Sequence, residues 1–237
     1  MVTGGSRSIG RAVAERLARD GRPVVVGYAH RADGAAATVR SITDAGGRAV
    51  AVGGDVADRD TVQRLFDAAD AEFGGAAVLV ANAGVSVLGP IATYDDDAYD
   101  RVFDASARGT FHCLRAAADR LADDGRVVTV SSTAVATPTP GMGVYLAAKA
   151  AVEAMTRVAA RELAPRGITV NAVAPGLVRS EMFAEGKTAE QLAAIENASP
   201  RARLGDITEI ADAVALLTSA DASWISGQVI RVNGGVA

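Results

Sequence analysis

Short, almost continuously apolar runs alternate along the chain with longer stretches in which apolar residues return every three or four positions. The short runs are "PVVVGY", "AVAVGGDV", "AVLVANAG", "RVVTVSS", "ITVNAVAPG" and "GQVIRVNGG", six candidate strands. They are apolar at consecutive rather than alternate positions, so both faces must be covered, as in a parallel sheet held between helices. Between them, "GRAVAERLARDG" carries Ala12, Val13, Leu17 and Ala18 at helical spacing and stops on Gly21. The order β, α, β, α predicts an α/β fold: a doubly wound parallel sheet with helices on both faces, right-handed crossovers and a ligand crevice at the carboxyl ends of the strands.

One segment breaks the rhythm. "EMFAEGKTAEQLAAIENASPRARLGD" puts helical material where a strand is due. Thr188 and Gln191 have capping-box spacing, which predicts a helix start, and Gly186, Pro200 and Gly205 are candidate hinges. The expectation is a substrate lid around residues 181–204, with a plain surface helix as the alternative. No repeat or linker interrupts the remainder, so residues 1–237 are expected to form a single domain.

Composition narrows the partners. With 49% hydrophobic but only 4% aromatic residues, the core must be built from small aliphatic side chains. A net charge of -4 with dispersed basic residues argues against nucleic acid. No apolar run is long enough to span a bilayer and no charged-then-apolar leader is present, so neither a membrane nor secretion is expected. The single cysteine, Cys113, fits a reducing cytoplasm and a core-filling role. No metal site is expected.

Two stretches carry candidate chemistry. "MVTGGSRSIG" sets Gly4, Gly5 and Gly10 before an amphipathic helix, where backbone N–H groups and a helix N-terminus can hold a phosphate. Taken alone, this is equally a tight strand-to-helix turn. Only Met1 and Val2 precede Thr3, too few for an ordinary strand, so either the start is trimmed or the central strand is very short; trimming is the favoured expectation. In "YLAAKAAVEAMTRVAARELA", Tyr145 and Lys149 leave one helix face a turn apart. A nearby ammonium favours phenolate over phenol and would lower the tyrosine pKa toward the range of a general acid or base. Without context such a pair is an ordinary solvated helix face. Ser132 ends a candidate strand thirteen positions earlier, at the carboxyl edge where ligands gather; Ser131, one residue off, should point to the other face.

In order, "TGGSRSIG", "GDV", "NAG", "VSS", "YLAAK", "PG" and "NGG" run nearly the whole length of the chain. Together they resemble the short-chain dehydrogenase/reductase family, and its 3-oxoacyl-[acyl carrier protein] reductase-like branch in particular. The resemblance implies a Rossmann-like fold and reduction of a ketone to a secondary alcohol. It gives Tyr145 the role of general acid/base, Lys149 that of orienting the cofactor ribose, and Ser132 that of binding the carbonyl or steadying the tyrosine. It also implies a homotetramer built on two long helices, around residues 97–121 and 145–164, and on the last strand. Two departures stand out. Ser8 replaces a glycine of the turn, at a cost of about 1 kcal/mol if that position needs a positive φ. Ser106, in "SARGTF", replaces the asparagine of the usual proton relay, so that either a serine and a water complete the path or turnover is weakened.

The cofactor is implied by the same resemblance. Gly4, Ser6, Arg7, Ser8, Ile9 and Gly10 would cradle the pyrophosphate, with Asp55, Val56, Asn82, Ala83 and Gly84 along the adenosine side. Pro175, Gly176, Val178 and Ser180, together with Tyr145 and Lys149, would meet the nicotinamide end. Tyr28 stands where relatives that use NAD place a carboxylate for the ribose hydroxyls, and His30 and Arg31 follow it. Arg7 and Arg31 suit a 2′-phosphate, so NADP(H) is preferred over NAD(H). The alternatives are an NAD-dependent alcohol or sugar dehydrogenase and a catalytically weakened nucleotide sensor. Apolar residues such as Val85, Val87, Val135 and Met142 flank the expected pocket without naming its small-molecule substrate.

Overall fold

The computed structural model describes residues 1–180, 183 and 188–237. Six strands are parallel to their neighbours: β1 (Val24–Tyr28), β2 (Ala49–Gly53), β3 (Ala76–Ala81), β4 (Leu121–Val130), β5 (Thr169–Pro175) and β6 (Val229–Val232). β1 pairs with β2, and β3 to β6 pair in chain order. Met1–Thr3 lies between the two blocks. Val2 bridges to Val26 on one side and Val80 on the other, and its N–H reaches Val25 O at 2.9 Å while Thr3 N–H reaches Val80 O at 3.0 Å. The sheet therefore runs β2, β1, Met1–Thr3, β3, β4, β5, β6.

The consecutive apolar residues do face opposite ways. Val25, Leu79 and Val127 enter one core, and their neighbours Val26, Val80 and Val128 enter the other. The first core is closed by α3 (Arg59–Phe73), α5 (Gly109–Arg120) and α6 (Gly143–Glu162). The second is closed by α1 (Ser8–Arg19), α2 (Ala32–Asp44) and α8 (Ile207–Leu217). This is the doubly wound α/β sandwich that the pattern predicts. Cys113 is buried in the first core, where loss of hydration pushes its thiol pKa up to about 12.

Two helical segments depart from this regular alternation. Between α4 (Asp96–Phe103) and α5 the chain widens into a π-helical turn, Asp104–Arg108. In the expected lid, α7 (Ala189–Ala198) starts at Thr188 with both halves of a capping box: Gln191 N–H on Thr188 Oγ1, and Thr188 N–H on Gln191 Oε1. Residues 181, 182 and 184–187 of that expectation, Gly186 among them, lie outside the described residues.

Candidate active site

The glycine turn leaves Met1–Thr3 and enters α1. Gly4 has φ +65°, and a Cβ placed on Gly10 would lie 2.1 Å from Gly4 O, so the turn admits no side chain there. Ser8 has φ +48°, so the conditional cost of a serine at this position is real. Asn82 ties the turn to the end of β3, its Nδ2 donating to Thr3 O at 2.9 Å and to Gly4 O at 3.3 Å. Thr3, which the sequence reading passed over, completes the knot: its Oγ1 accepts the N–H groups of Asn82 and Ala83, both at 3.0 Å. A β-branched hydroxyl directly before a glycine pair at a strand end was the available signal.

The other cofactor candidates arrive at the same edge of the sheet. Ser6, Arg7 and Ile9 lie in the turn or on the first residues of α1; Tyr28 ends β1, and Arg31 is the N-cap of α2, with His30 exposed beside it. α2 leans on the turn, because a Cβ on Gly34 would sit 2.6 Å from Ser6 O and 3.5 Å from Arg31 Cβ, and Thr38 Oγ1 donates to Gly5 O at 3.1 Å. Asp55 is exposed just past β2, with Oδ1 accepting Ala57 N–H at 2.9 Å, and Val56 is buried. Pro175 ends β5, Gly176 N–H reaches Val232 O at 3.0 Å, Val178 bridges to Gly205, and Ser180 Oγ accepts Phe183 N–H at 3.2 Å.

The catalytic candidates converge beside them. Ser132 follows β4, its Oγ accepting Ala134 N–H at 3.3 Å, and Tyr145 stands on the first turn of α6, close enough for the Ser132 hydroxyl to act on its phenol. Lys149 is buried one turn further on, donates from Nζ to Val130 O at 2.8 Å and lies 6.0 Å from the centre of the Tyr145 ring. A Cβ on Gly84 would be 3.2 Å from both Lys149 Nζ and Ser106 Oγ, so these two groups face the same small space. Ser106 sits in the π-turn, fully buried, and among the described residues its Oγ has no hydrogen-bond partner. Single-turn π-bulges often mark functional positions. Ser131 and Thr129 both reach α6: Ser131 Oγ donates to Glu153 Oε1 at 2.8 Å, and Thr129 Oγ1 lies 2.7 Å from Thr156 Oγ1.

One expectation is corrected. Lys149 does not draw the Tyr145 phenol down in this structure; burial pushes the phenol above its usual range, and the Ser132 hydrogen bond pulls it only part of the way back. The reason lies in the lysine's own surroundings. Its ammonium is engaged by Val130 O at 2.8 Å and lies 6.0 Å from the centre of the phenol ring.

Strand ends, a glycine turn on a helix N-terminus, and half-buried Ser132 and Tyr145 beside the buried Lys149 are the arrangement expected of a dinucleotide-dependent oxidoreductase. The family description "Enoyl-(Acyl carrier protein) reductase" matches residues 4–237. A short-chain type dehydrogenase/reductase of Picea abies is 41% identical over 99% of this chain and 90% of its own. The 3-oxoacyl-[acyl-carrier-protein] reductase FabG of Staphylococcus aureus is 40% identical over 100% of this chain and 96% of its own. Among solved structures, a short-chain dehydrogenase of Burkholderia cenocepacia in complex with NADP superposes with a TM-score of 0.92 at 36% identity, covering 99% of this chain and 95% of that one. The chain belongs to the short-chain dehydrogenase/reductase family, and it is an oxidoreductase of that family.

Proposed function

We propose that this enzyme is an NADPH-dependent reductase that interconverts a ketone, including 3-oxoacyl-type ketones, with a secondary alcohol. The observation that carries the reading is the convergence of Ser132, Tyr145 and Lys149 at the strand edge that also holds the glycine turn. The residues fit a dinucleotide: the Gly4–Gly10 contact leaves backbone N–H groups where a Cβ would obstruct, and the orphaned Ser106 Oγ faces Lys149 across Gly84. When bound, the nicotinamide supplies or accepts the hydride.

The protein's part is to hold the carbonyl and move one proton. Ser132 and Tyr145 would bind the substrate oxygen, and the Tyr145 hydroxyl would donate its proton as that oxygen becomes a hydroxyl. A phenol held above its usual pKa stays protonated at neutral pH, so reduction is favoured there and alcohol oxidation gains as pH rises. Among the described residues Lys149 Nζ bonds to Val130 O, which leaves two N–H bonds to orient a ribose and pass a proton onward. A water bonded to both Lys149 Nζ and Ser106 Oγ would continue that path, taking the place of a longer amide side chain.

NADP(H) over NAD(H) is supported by the absence of a carboxylate at Tyr28 and by the closeness of Arg31 to the Ser6–Arg7 stretch. The Burkholderia relative binds NADP. Initial rates with the two cofactors separate this reading from an NAD-dependent dehydrogenase. We also infer one domain over residues 1–237 with 181–204 as its cover, a cytoplasmic location and a homotetramer. Among the described residues no helix is long and apolar enough to cross a membrane.

Tyr145→Phe tests the core claim. It is expected to lower turnover at least about a hundredfold, the lower bound for general acid catalysis, while NADPH binding followed by fluorescence is retained. Ketone reduction at the parental rate would overturn the mechanism, and tight NADPH binding by the parent without turnover on any of a broad set of ketones would favour the sensor.

A further inference from the structure

β4 and α6 lie against each other in opposite directions, and a series of contacts ties one to the other. Thr129 Oγ1 and Thr156 Oγ1 are 2.7 Å apart; Ser131 Oγ donates to Glu153 Oε1 at 2.8 Å; Val130 O accepts from Lys149 Nζ at 2.8 Å; and the Ser132 hydroxyl faces the Tyr145 phenol. The last two contacts belong to the catalytic group. The Ser131–Glu153 contact has no part in it, yet it is wedged between them: Ser131 lies between Val130 and Ser132 in the chain, and Glu153 is one helical turn beyond Lys149.

Glu153 is an unusual residue for this place. Its side chain is only 12% exposed, and besides Ser131 it meets the Arg157 guanidinium at 3.6 Å. An enclosed carboxylate is costly, and an aliphatic side chain would fill the same space at less cost. What the carboxylate supplies is direction. Ser131 N–H makes a sheet-type bond to Val173 O at 2.8 Å, and from Ser132 the backbone leaves β4 for a short turn, Thr133–Val135. Ser132 is therefore the junction between a rigid strand and a loop, and the Ser131 side chain is the nearest anchor to it.

We propose that Glu153 is a positioning residue: by holding the Ser131 hydroxyl it fixes how far α6 slides along the end of β4, and so keeps the Ser132 hydroxyl on Tyr145. The inference rests on the reading of Ser132 and Tyr145 as the carbonyl-binding pair.

Three single variants of the full chain and one double variant test it, with ethyl acetoacetate and NADPH as reactants: Ser131→Ala, Glu153→Leu, Glu153→Gln and the Ser131→Ala/Glu153→Leu pair. Ser131→Ala removes the same contact with almost no change of volume, so it remains informative if Glu153→Leu folds poorly. Ser131→Ala and Glu153→Leu are each expected to lower kcat about ten- to a hundredfold, as small misplacements of reacting groups do, with the KM for NADPH unchanged. Glu153→Gln keeps an acceptor oxygen and should retain kcat to within about twofold, and the Ser131→Ala/Glu153→Leu pair should be no worse than the poorer single variant. Parental kcat in Ser131→Ala, a Glu153→Gln loss as deep as that of Glu153→Leu, or losses confined to KM would overturn the proposal. Tyr145→Phe run beside them keeps the two readings apart. If it is inactive while Ser131→Ala is fully active, only the role of Glu153 falls; if it is fully active, the underlying site reading falls.

Discussion

Ser8 and Lys149 are both held at a cost, for different reasons. At φ +48° the Ser8 Cβ crowds its own backbone, so Ser8→Gly should relieve about 1 kcal/mol of strain, less what a freer unfolded chain takes back. Urea denaturation is expected to show a higher midpoint, and a raised KM for NADPH in the same variant would show that the hydroxyl also touches phosphate. Lys149 is costly through its charge. Its pKa falls from 10.5 to about 8 on folding, so below pH 8 both states hold the proton and the folded state bears the whole penalty, about 3 kcal/mol at about 1.4 kcal/mol per pKa unit. Between pH 8 and 10.5 the unfolded chain binds more protons than the folded one, and the penalty fades as pH rises. Lys149→Met should therefore be more stable than the parent at pH 7, by about 1–2 kcal/mol once the lost bond to Val130 O is counted, and the gap should close toward pH 10. Denaturation of both proteins at several pH values reads this directly.

Helices and strands were the most legible level, and the places where legibility ended are specific. All six strands contain an apolar run: β1 and β5 are buried almost throughout, so no polar position blurs the signal, while the edge strands β2 and β6 keep such runs although they are half-exposed. The start of α7 was marked by Thr188 and Gln191, a contact local in sequence. The π-turn at Asp104–Arg108 was not marked, since one extra residue in a helical turn leaves the apolar spacing of α4 and α5 nearly intact. Nor was the Ser131–Glu153 bond, whose partners are 22 positions apart and meet only when α6 docks on β4. The pKa of Tyr145 was misjudged for the same reason: spacing places Lys149 near it, but only packing shows that the ammonium turns to Val130 O.

At the level of helix faces, α5 and α6 leave an apolar groove of about 510 Å³ lined by Phe111, Leu114, Met155 and Val158, with Phe111 46% and Val158 55% exposed. Paired helices presenting such a face support assembly with further copies of the chain. Light scattering is expected to give the mass of four chains for the parent and a smaller one for Val158→Glu, which would set four equivalent charges into that face; an unchanged mass would place the contact elsewhere.

For the whole molecule, the consequential feature is the middle of the sheet, where Met1–Thr3 joins β1 to β3. The proposed cofactor would straddle that seam, with Tyr28, Arg31 and Asp55 at its adenosine end on one block and Ser132, Pro175 and Gly176 at its nicotinamide end on the other. NADPH at a hundred times its Kd should add about 2.7 kcal/mol by mass action, worth about 5–10 °C in melting temperature for a chain of this size. Differential scanning calorimetry with and without NADPH measures this. The proposed nucleotide would then act as a cross-brace as well as a reactant, and limited proteolysis is expected to run more slowly with NADPH bound than without it.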